Sequence, residues 1–161
     1  MKFFFSFLTA CFLISCTNNA DPIVSIKGEW KFVNLFSKMQ SSRCWDCPDF
    51  VFDKADPILN IIDNTSGVFE LNIEKMKFQG LHDYTLTEES KENTFGKMKF
   101  EFDSITSIPI DILTSKSRQI IQELTKVNSF YMPSHATTST YEFLELESDA
   151  NILIFAKTKI K

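Results

Sequence analysis

Several segments of the chain alternate between apolar and polar side chains with a period of two residues. Residues 97–103 place an apolar side chain at every second position with charged side chains between them, and residues 68–73 alternate in the same way. Successive side chains of a β-strand point to opposite faces, so these segments are predicted to be half-buried strands. The spacing of Phe50 and Phe52 predicts a further strand. This periodicity restricts the chain to a β-rich fold.

The last third of the chain continues this pattern after one interruption. We expect strands near Ser129 to Met132, Thr140 to Leu146 and Asn151 to Thr158. The last two are joined by Ser148, Asp149, Ala150 and Asn151, a segment typical of a turn between paired strands. The carboxylates of this region, including Glu145, are expected on solvated strand faces and in turns.

One segment has helical periodicity instead. Its apolar residues recur at offsets that line one face of a helix from about Ser115 to Val127. Thr114 or Ser115 is expected to cap its start, and Asn128 to end it in a left-handed conformation. The apolar face consists of Leu113, Ile120, Ile121, Leu124 and Val127. The predicted fold is therefore α+β and β-rich, with about eight strands in a single antiparallel sheet or partly closed barrel and one late helix.

The N-terminal residues predict export. Lys2 is followed by an apolar run of about a dozen residues, which has the layout of a signal peptide and is shorter than the roughly 20 residues of a membrane-spanning helix. The sequence from Leu13 to Cys16 resembles a bacterial lipobox, in which cleavage before the cysteine precedes acylation. We therefore expect a signal peptide at 1–15, a lipid on Cys16, a tether at 16–25 and one domain at 26–161.

The lipid predicts the location of the protein, and composition limits its partners. Long acyl chains on Cys16, such as palmitate, anchor a protein stably in a membrane. By resemblance to lipoprotein sorting, the absence of aspartate at Thr17 indicates the outer membrane.

Without Lys2, the chain has 16 basic and 21 acidic side chains. This net charge near −5, without a basic cluster, argues against a nucleic-acid partner.

Cys44 and Cys47 form a Cys-x-x-Cys pair. In an exported domain the favoured interpretation is a structural disulfide. A thiol redox pair, a metal site and two free thiols are alternatives. Redox activity would require a thiolate that the neighbouring Asp46 and Asp49 oppose, and a metal would need further ligands. We expect no metal and no cofactor.

The remaining polar residues do not predict catalysis. His82 is followed by Asp83, and His135 follows Ser134, but there is no nucleophile turn and no third partner for a triad. The carboxylates Glu88, Glu89, Glu142, Glu145 and Glu147 are interpreted as solvated side chains rather than as an acid/base pair. The sequence therefore predicts a protein that is not an enzyme.

Two regions carry a resemblance to a known family. The opening segment, with Gly28 and Trp30, resembles the Gly-x-Trp strand shared by lipocalin-like proteins and by the META domain of heat-shock-associated bacterial lipoproteins. In this motif Trp30 would plug one end of the core and Gly28 would allow close packing. The second region, a late helix followed by the apolar segments at 130–131, 143–146 and 153–155, resembles the end of a META domain. The chain is thus similar to a divergent META lipoprotein over residues 26–161, and second to a lipocalin-like lipoprotein.

The resemblance implies a role more than an activity. We expect a lipid-anchored envelope protein whose META-like domain makes structural or protein contacts, with a link to envelope stress. A lipocalin-like carrier of a small apolar ligand, with an open cavity inside the sheet, is the alternative. A thiol redox protein is the third possibility.

Overall fold

The computed structural model describes residues 25–39, 51–64, 66–89, 93–103, 112–133 and 140–159. Within these residues, eight antiparallel strands follow one another around a closed barrel, because the first strand pairs with both the second and the last. The strands are β1 (Gly28–Ser37), β2 (Ile58–Ile61), β3 (Gly67–Ile73), β4 (Met76–Glu89), β5 (Asn93–Phe102), β6 (Ser129–Pro133), β7 (Tyr141–Glu147) and β8 (Asn151–Thr158). The prediction of a β-rich domain is confirmed. The predicted barrel of about eight antiparallel strands with one helix is also confirmed, and the barrel is closed rather than an open single sheet.

One helix, α1 (Ser115–Leu124), lies between β5 and β6. Its start is as predicted, since the hydroxyl of Thr114 accepts a hydrogen bond from the Ser117 amide at 3.3 Å. The helix ends three residues before Val127, and the prediction for Asn128 is wrong. Asn128 does not adopt a left-handed backbone conformation. Its amide donates to the Glu147 carbonyl at 2.9 Å, so Asn128 already bonds to β7 one residue before β6 begins.

The alternating segments fill the lumen of the barrel. Phe69, Leu71 and Ile73 of β3 are buried, as are Met98 and Phe100 of β5. The ring of Phe69 packs edge-on against Phe100 at a centroid distance of 5.0 Å, and against a second β5 ring, Phe102, at 4.9 Å. Edge-to-face geometry is favourable for aromatic pairs. An eight-stranded barrel is just wide enough for side chains to fill.

A second apolar cluster lies on the outer face of the barrel, across β1, β7 and β8. The run at 152–155 is buried on both sides, with Leu153 and Phe155 in the lumen and Ile152 and Ile154 in the outer cluster. The predicted strand at Phe52 is wrong. Phe52 begins a single turn of 3-10 helix, Phe52–Lys54, and its ring stacks on Tyr141 at 4.9 Å. The segment 152–155 is a continuous apolar run because a strand that is covered on both faces needs apolar side chains at every position.

The outer cluster also changes the interpretation of one carboxylate. Glu145 of β7 is completely buried, although a solvated position was predicted. Leu144 and Leu146 point into the lumen, which places Glu145 on the outer face beside Phe143. The covering of that face, which local alternation does not reveal, removes the side chain from solvent.

Different elements of the chain close the two ends of the barrel, the entry end and the helix end. The entry end holds the start of β1 and the β2–β3 connection between Ile61 and Gly67. The helix end holds α1, the β3–β4 turn at Glu74–Lys75 and the β7–β8 turn at 148–150. In the described residues, no helix is both long and apolar enough to cross a membrane.

Candidate functional site

The predicted motif residues Gly28 and Trp30 lie at the entry end. Gly28 has φ +131°, a backbone conformation that strongly favours glycine. A Cβ at this position would meet its nearest atom, on Lys157, at an ordinary 3.8 Å. Backbone conformation, rather than the close packing that was expected, therefore explains the glycine. Trp30 is completely buried, and its Nε1 donates to the Ile26 carbonyl at 2.6 Å.

Lys157 of β8 completes this arrangement, and no motif or spacing in the sequence indicates its role. Its Nζ lies 4.4 Å from the centroid of the Trp30 ring. It donates to the Ser25 carbonyl at 2.6 Å and pairs with Glu142 at 3.2 Å. One ammonium thus binds a ring, a carboxylate and the segment before β1. We call Ile26, Trp30 and Lys157 the entry clasp.

The β2–β3 connection holds the same segment from the other side. The side-chain oxygen of Asn64 accepts hydrogen bonds from the Ser25 hydroxyl at 2.6 Å and the Lys27 amide at 3.1 Å. Ile26 between them is buried at 1% exposure as part of the lumen core. The chain therefore folds its own entry segment into this end of the barrel.

At the helix end, Glu74 ties α1 to the β3–β4 turn. Its carboxylate accepts hydrogen bonds from the hydroxyls of Ser117 and Thr114, each at 2.5 Å. Those from Ser117 and then Thr114 hold the pKa of Glu74 below its ordinary value. The Glu74 amide in turn donates to Asp56 at 3.0 Å. An anion at the start of a helix is also favoured by the helix dipole.

Glu123 ties the last turn of α1 to the β7–β8 turn. It accepts a hydrogen bond from the Ser148 hydroxyl at 3.0 Å and pairs with Lys126 at 2.9 Å. Burial alone would raise the pKa of Glu123, but hydrogen bonds from Asn151, Lys126 and Ser148 outweigh it and lower the pKa. All five predicted apolar side chains of the helix segment are buried in the lumen core. The helix is therefore a plug fastened at both of its ends.

The structure separates His82 from Asp83. His82 is 2% exposed and lies in the lumen beside Phe100, with a ring centroid distance of 6.4 Å. Asp83 lies on the outer face, where it accepts hydrogen bonds from Ser66 and from the Tyr84 amide. The two side chains therefore do not form an oriented base.

Three further carboxylates of the predicted set lie at the surface. Glu142 pairs with Lys157, Glu147 pairs with Lys38 at 2.9 Å, and Glu88 is exposed. They lie apart and are not brought together as an acid/base pair. In the parts of the chain that the structure describes, no group of three or more potential metal ligands comes together.

Described residues line a pocket of about 450 Å³ that opens outward over β3, β4 and β5. Its lining is Ser66, Gly67, Leu81, His82, Asp83, Lys99 and Glu101. Another pocket, of about 260 Å³, lies between β1, the 3-10 turn and α1. Neither is the lumen cavity that a carrier requires.

Four sequence candidates lie outside the described residues. These are the lipidation site Cys16, the pair Cys44 and Cys47, and His135. The roles predicted for these four residues are not tested by the structure and stay predictions.

Together these features define a class: an eight-stranded up-and-down barrel with a packed lumen, closed at one end by its entry segment and at the other by an internal helix. Comparison with protein-family models, curated proteins and solved structures finds no match for the chain.

Proposed function

We propose that the protein is a lipid-anchored envelope protein, fixed by Cys16, whose META-like barrel makes structural or protein contacts near the membrane. The signal-like segment and lipobox support the anchor. The order of a late helix followed by three strands agrees with the resemblance to a META domain. The outer membrane is the proposed location, and the proposed role is non-enzymatic.

The closure of both barrel ends is the observation that carries the contact role. A carrier of a small apolar ligand needs an open lumen. Here α1 and the flanking Leu113 and Val127 fill the helix end with five buried apolar side chains, and Ile26 is buried at the entry end. These features support a filled scaffold over a carrier, so the outer surface is the part available to partners.

The anchor is tested with two matched cysteine variants. Cells producing the wild type, Cys16→Ser or Cys11→Ser would be labelled with radioactive palmitate and fractionated. We expect label and membrane retention in the wild type and in Cys11→Ser, and loss of label in Cys16→Ser. Equal labelling of all three proteins would refute lipidation at Cys16.

The contact role is tested on the purified full-length protein. Native mass spectrometry and solvent extraction would look for a small apolar molecule that accompanies the barrel. The proposal expects none in stoichiometric amount. A ligand bound one to one would overturn it in favour of a carrier.

A further inference from the structure

The outward face of β5 carries charged side chains in an ordered row. Successive side chains of a strand point to opposite faces, so alternate residues of β5 face solvent while Met98 and Phe100 fill the lumen. Continued one residue beyond the end of the strand, the outward row contains the exposed residues Lys97, Lys99, Glu101 and Asp103. Two positive charges are thus followed by two negative charges along the same side of the barrel.

These four charges have no partners within the described part of the chain. There, none of them forms an ion pair or a side-chain hydrogen bond. Neighbouring charges on the same face do have partners, since Glu70 pairs with Lys77 at 2.6 Å. Asp83 is the register partner of Lys99, but its carboxylate accepts a hydrogen bond from Ser66 instead. The row therefore presents both signs of charge to the outside.

Apolar side chains lie beside this row on the same outer face. Leu81 of β4 is the register partner of Glu101 and is 53% exposed. Val68 of β3 is the register partner of Leu81 and is 40% exposed. Exposed apolar side chains bordered by charged ones are the composition of a protein contact surface. We call the charged row together with Val68 and Leu81 the β5 patch.

The order of the charges makes the row complementary to itself. Two copies related by a two-fold axis present the same surface to each other. When the axis lies across the strand, level with Phe100, Lys99 faces Glu101 of the second copy. Lys97 then faces Asp103 of the second copy, and both pairs are repeated on the other side of the axis. If the second strand ran in the same direction, each charge would face its own equivalent, and like charges repel.

We propose that the β5 patch is the interface of a homodimer in which two barrels pack face to face with their β5 strands antiparallel. Sheets packed in this way keep their strands within about 30° of each other, so the two charged rows run along one another. The axis passes beside Leu81, which brings Leu81 and Val68 of both copies together at the centre. A row of a single charge would instead repel a second copy and require a different partner.

This interface rests on the proposed role in protein contacts and names a second copy as the partner. Because the four charges are exposed, they contribute little to the stability of a single barrel. Their reversal therefore tests association rather than folding. A lipid anchor confines the copies to one surface and raises their effective concentration, so a weak interface is sufficient there.

The test uses charge reversal in the full-length protein. Wild type, Lys99→Glu and Glu101→Lys would be purified in mild detergent and labelled in separate donor and acceptor pools. Energy transfer between the pools, followed on dilution with empty micelles in excess, measures self-association. We expect the wild type to associate, and less so in high salt. Each single reversal should raise the Kd by about tenfold or more, because it places like charges opposite each other.

A mixture of the two variants is the decisive measurement. When Lys99→Glu meets Glu101→Lys, opposite charges again face each other on both sides of the axis. Energy transfer between these two variants should therefore return to the wild-type level, a recovery that misfolded variants cannot give. Lys54→Glu is the matched control, since Lys54 is an exposed lysine of the 3-10 turn outside the β5 patch, and it should associate like the wild type.

Any of three results would overturn the interface. These are a wild type that stays monomeric, an association that neither reversal weakens, and a loss of association that the mixture does not restore. A monomeric wild type would leave a different protein as the occupant of the β5 patch. The proposed function is decided separately, because a dimer that carries an apolar ligand one to one would overturn the contact role and leave the interface standing.

Discussion

Replacing Lys157 with methionine tests whether the entry clasp stabilises the fold. Methionine keeps an apolar stem of similar length over Trp30 but removes the ammonium. The variant therefore loses the cation–π contact, the hydrogen bond to Ser25 and the ion pair with Glu142, while it leaves most of the packing in place.

The expected loss follows from the surroundings of the ammonium. The Lys157 side chain is 15% exposed, so its contact with Trp30 contributes about 1 kcal/mol, and a hydrogen bond from a charged donor contributes about 2 kcal/mol. The pair with Glu142, which is one-third exposed, adds little after solvent screening. The sum is about 3 kcal/mol, which corresponds to a fall in Tm of roughly 6–12 °C.

Thermal unfolding followed by circular dichroism measures this shift. Lys99→Met is the matched control, because Lys99 is an exposed strand residue, and we expect its Tm to change by less than about 2 °C. Lys157→Arg keeps the charge and should recover part of the loss. If Lys157→Met melts within about 2 °C of the control, the clasp contributes no stability and the reasoning is refuted.

Three further changes test other parts of the structure. Glu123→Gln should destabilise at pH 7 and reduce the loss of Tm in acid, because a carboxyl whose folded pKa is lowered contributes stability above its ordinary pKa and loses it as the pH falls; Tm measured from pH 7 to pH 3 checks this, and an unchanged acid profile would contradict it. Gly28→Ala should destabilise by roughly 1–3 kcal/mol, since alanine is strained at φ +131°, and a Tm equal to that of the wild type would show the backbone to be relaxed there. Lys75→Gly should raise stability by about 1 kcal/mol, because Lys75 adopts φ +68° in the β3–β4 turn, and a lowered Tm would count against this account of the turn.

Hydrophobic periodicity and capping residues predict those strands and helix ends whose burial and hydrogen bonds are set by neighbouring residues in the chain. The strand at 67–73 alternates cleanly because one face lies in the lumen and the other in solvent. The helix start was predicted because Thr114 supplies its own cap. In β4 the lumen face carries Gly80 and His82 while Leu81 is exposed, so its alternation is blurred and it was not predicted as a strand.

The features that close the barrel could not be predicted in the same way. Lys157 lies 127 positions after Trp30, and no local property of either residue indicates their contact. The environment of Glu145 depends on a covered outer face of the barrel. Each of these results from tertiary pairing, which composition and spacing do not encode.

The energetics of the two ends decide how any ligand would enter the lumen. Removing α1 together with the flanking Leu113 and Val127 would expose five apolar side chains, at about 1.5–3 kcal/mol each, a sum close to the total stability of about 5–15 kcal/mol of an ordinary domain. The helix therefore cannot open as a lid without unfolding the barrel. The entry end is closed by Ile26 and a few polar contacts, so it requires much less energy to open. If the wild type excludes an apolar fluorescent probe and Lys157→Met binds it before unfolding, the lumen is reached through the clasp. If neither binds the probe, the barrel is a filled scaffold at both ends.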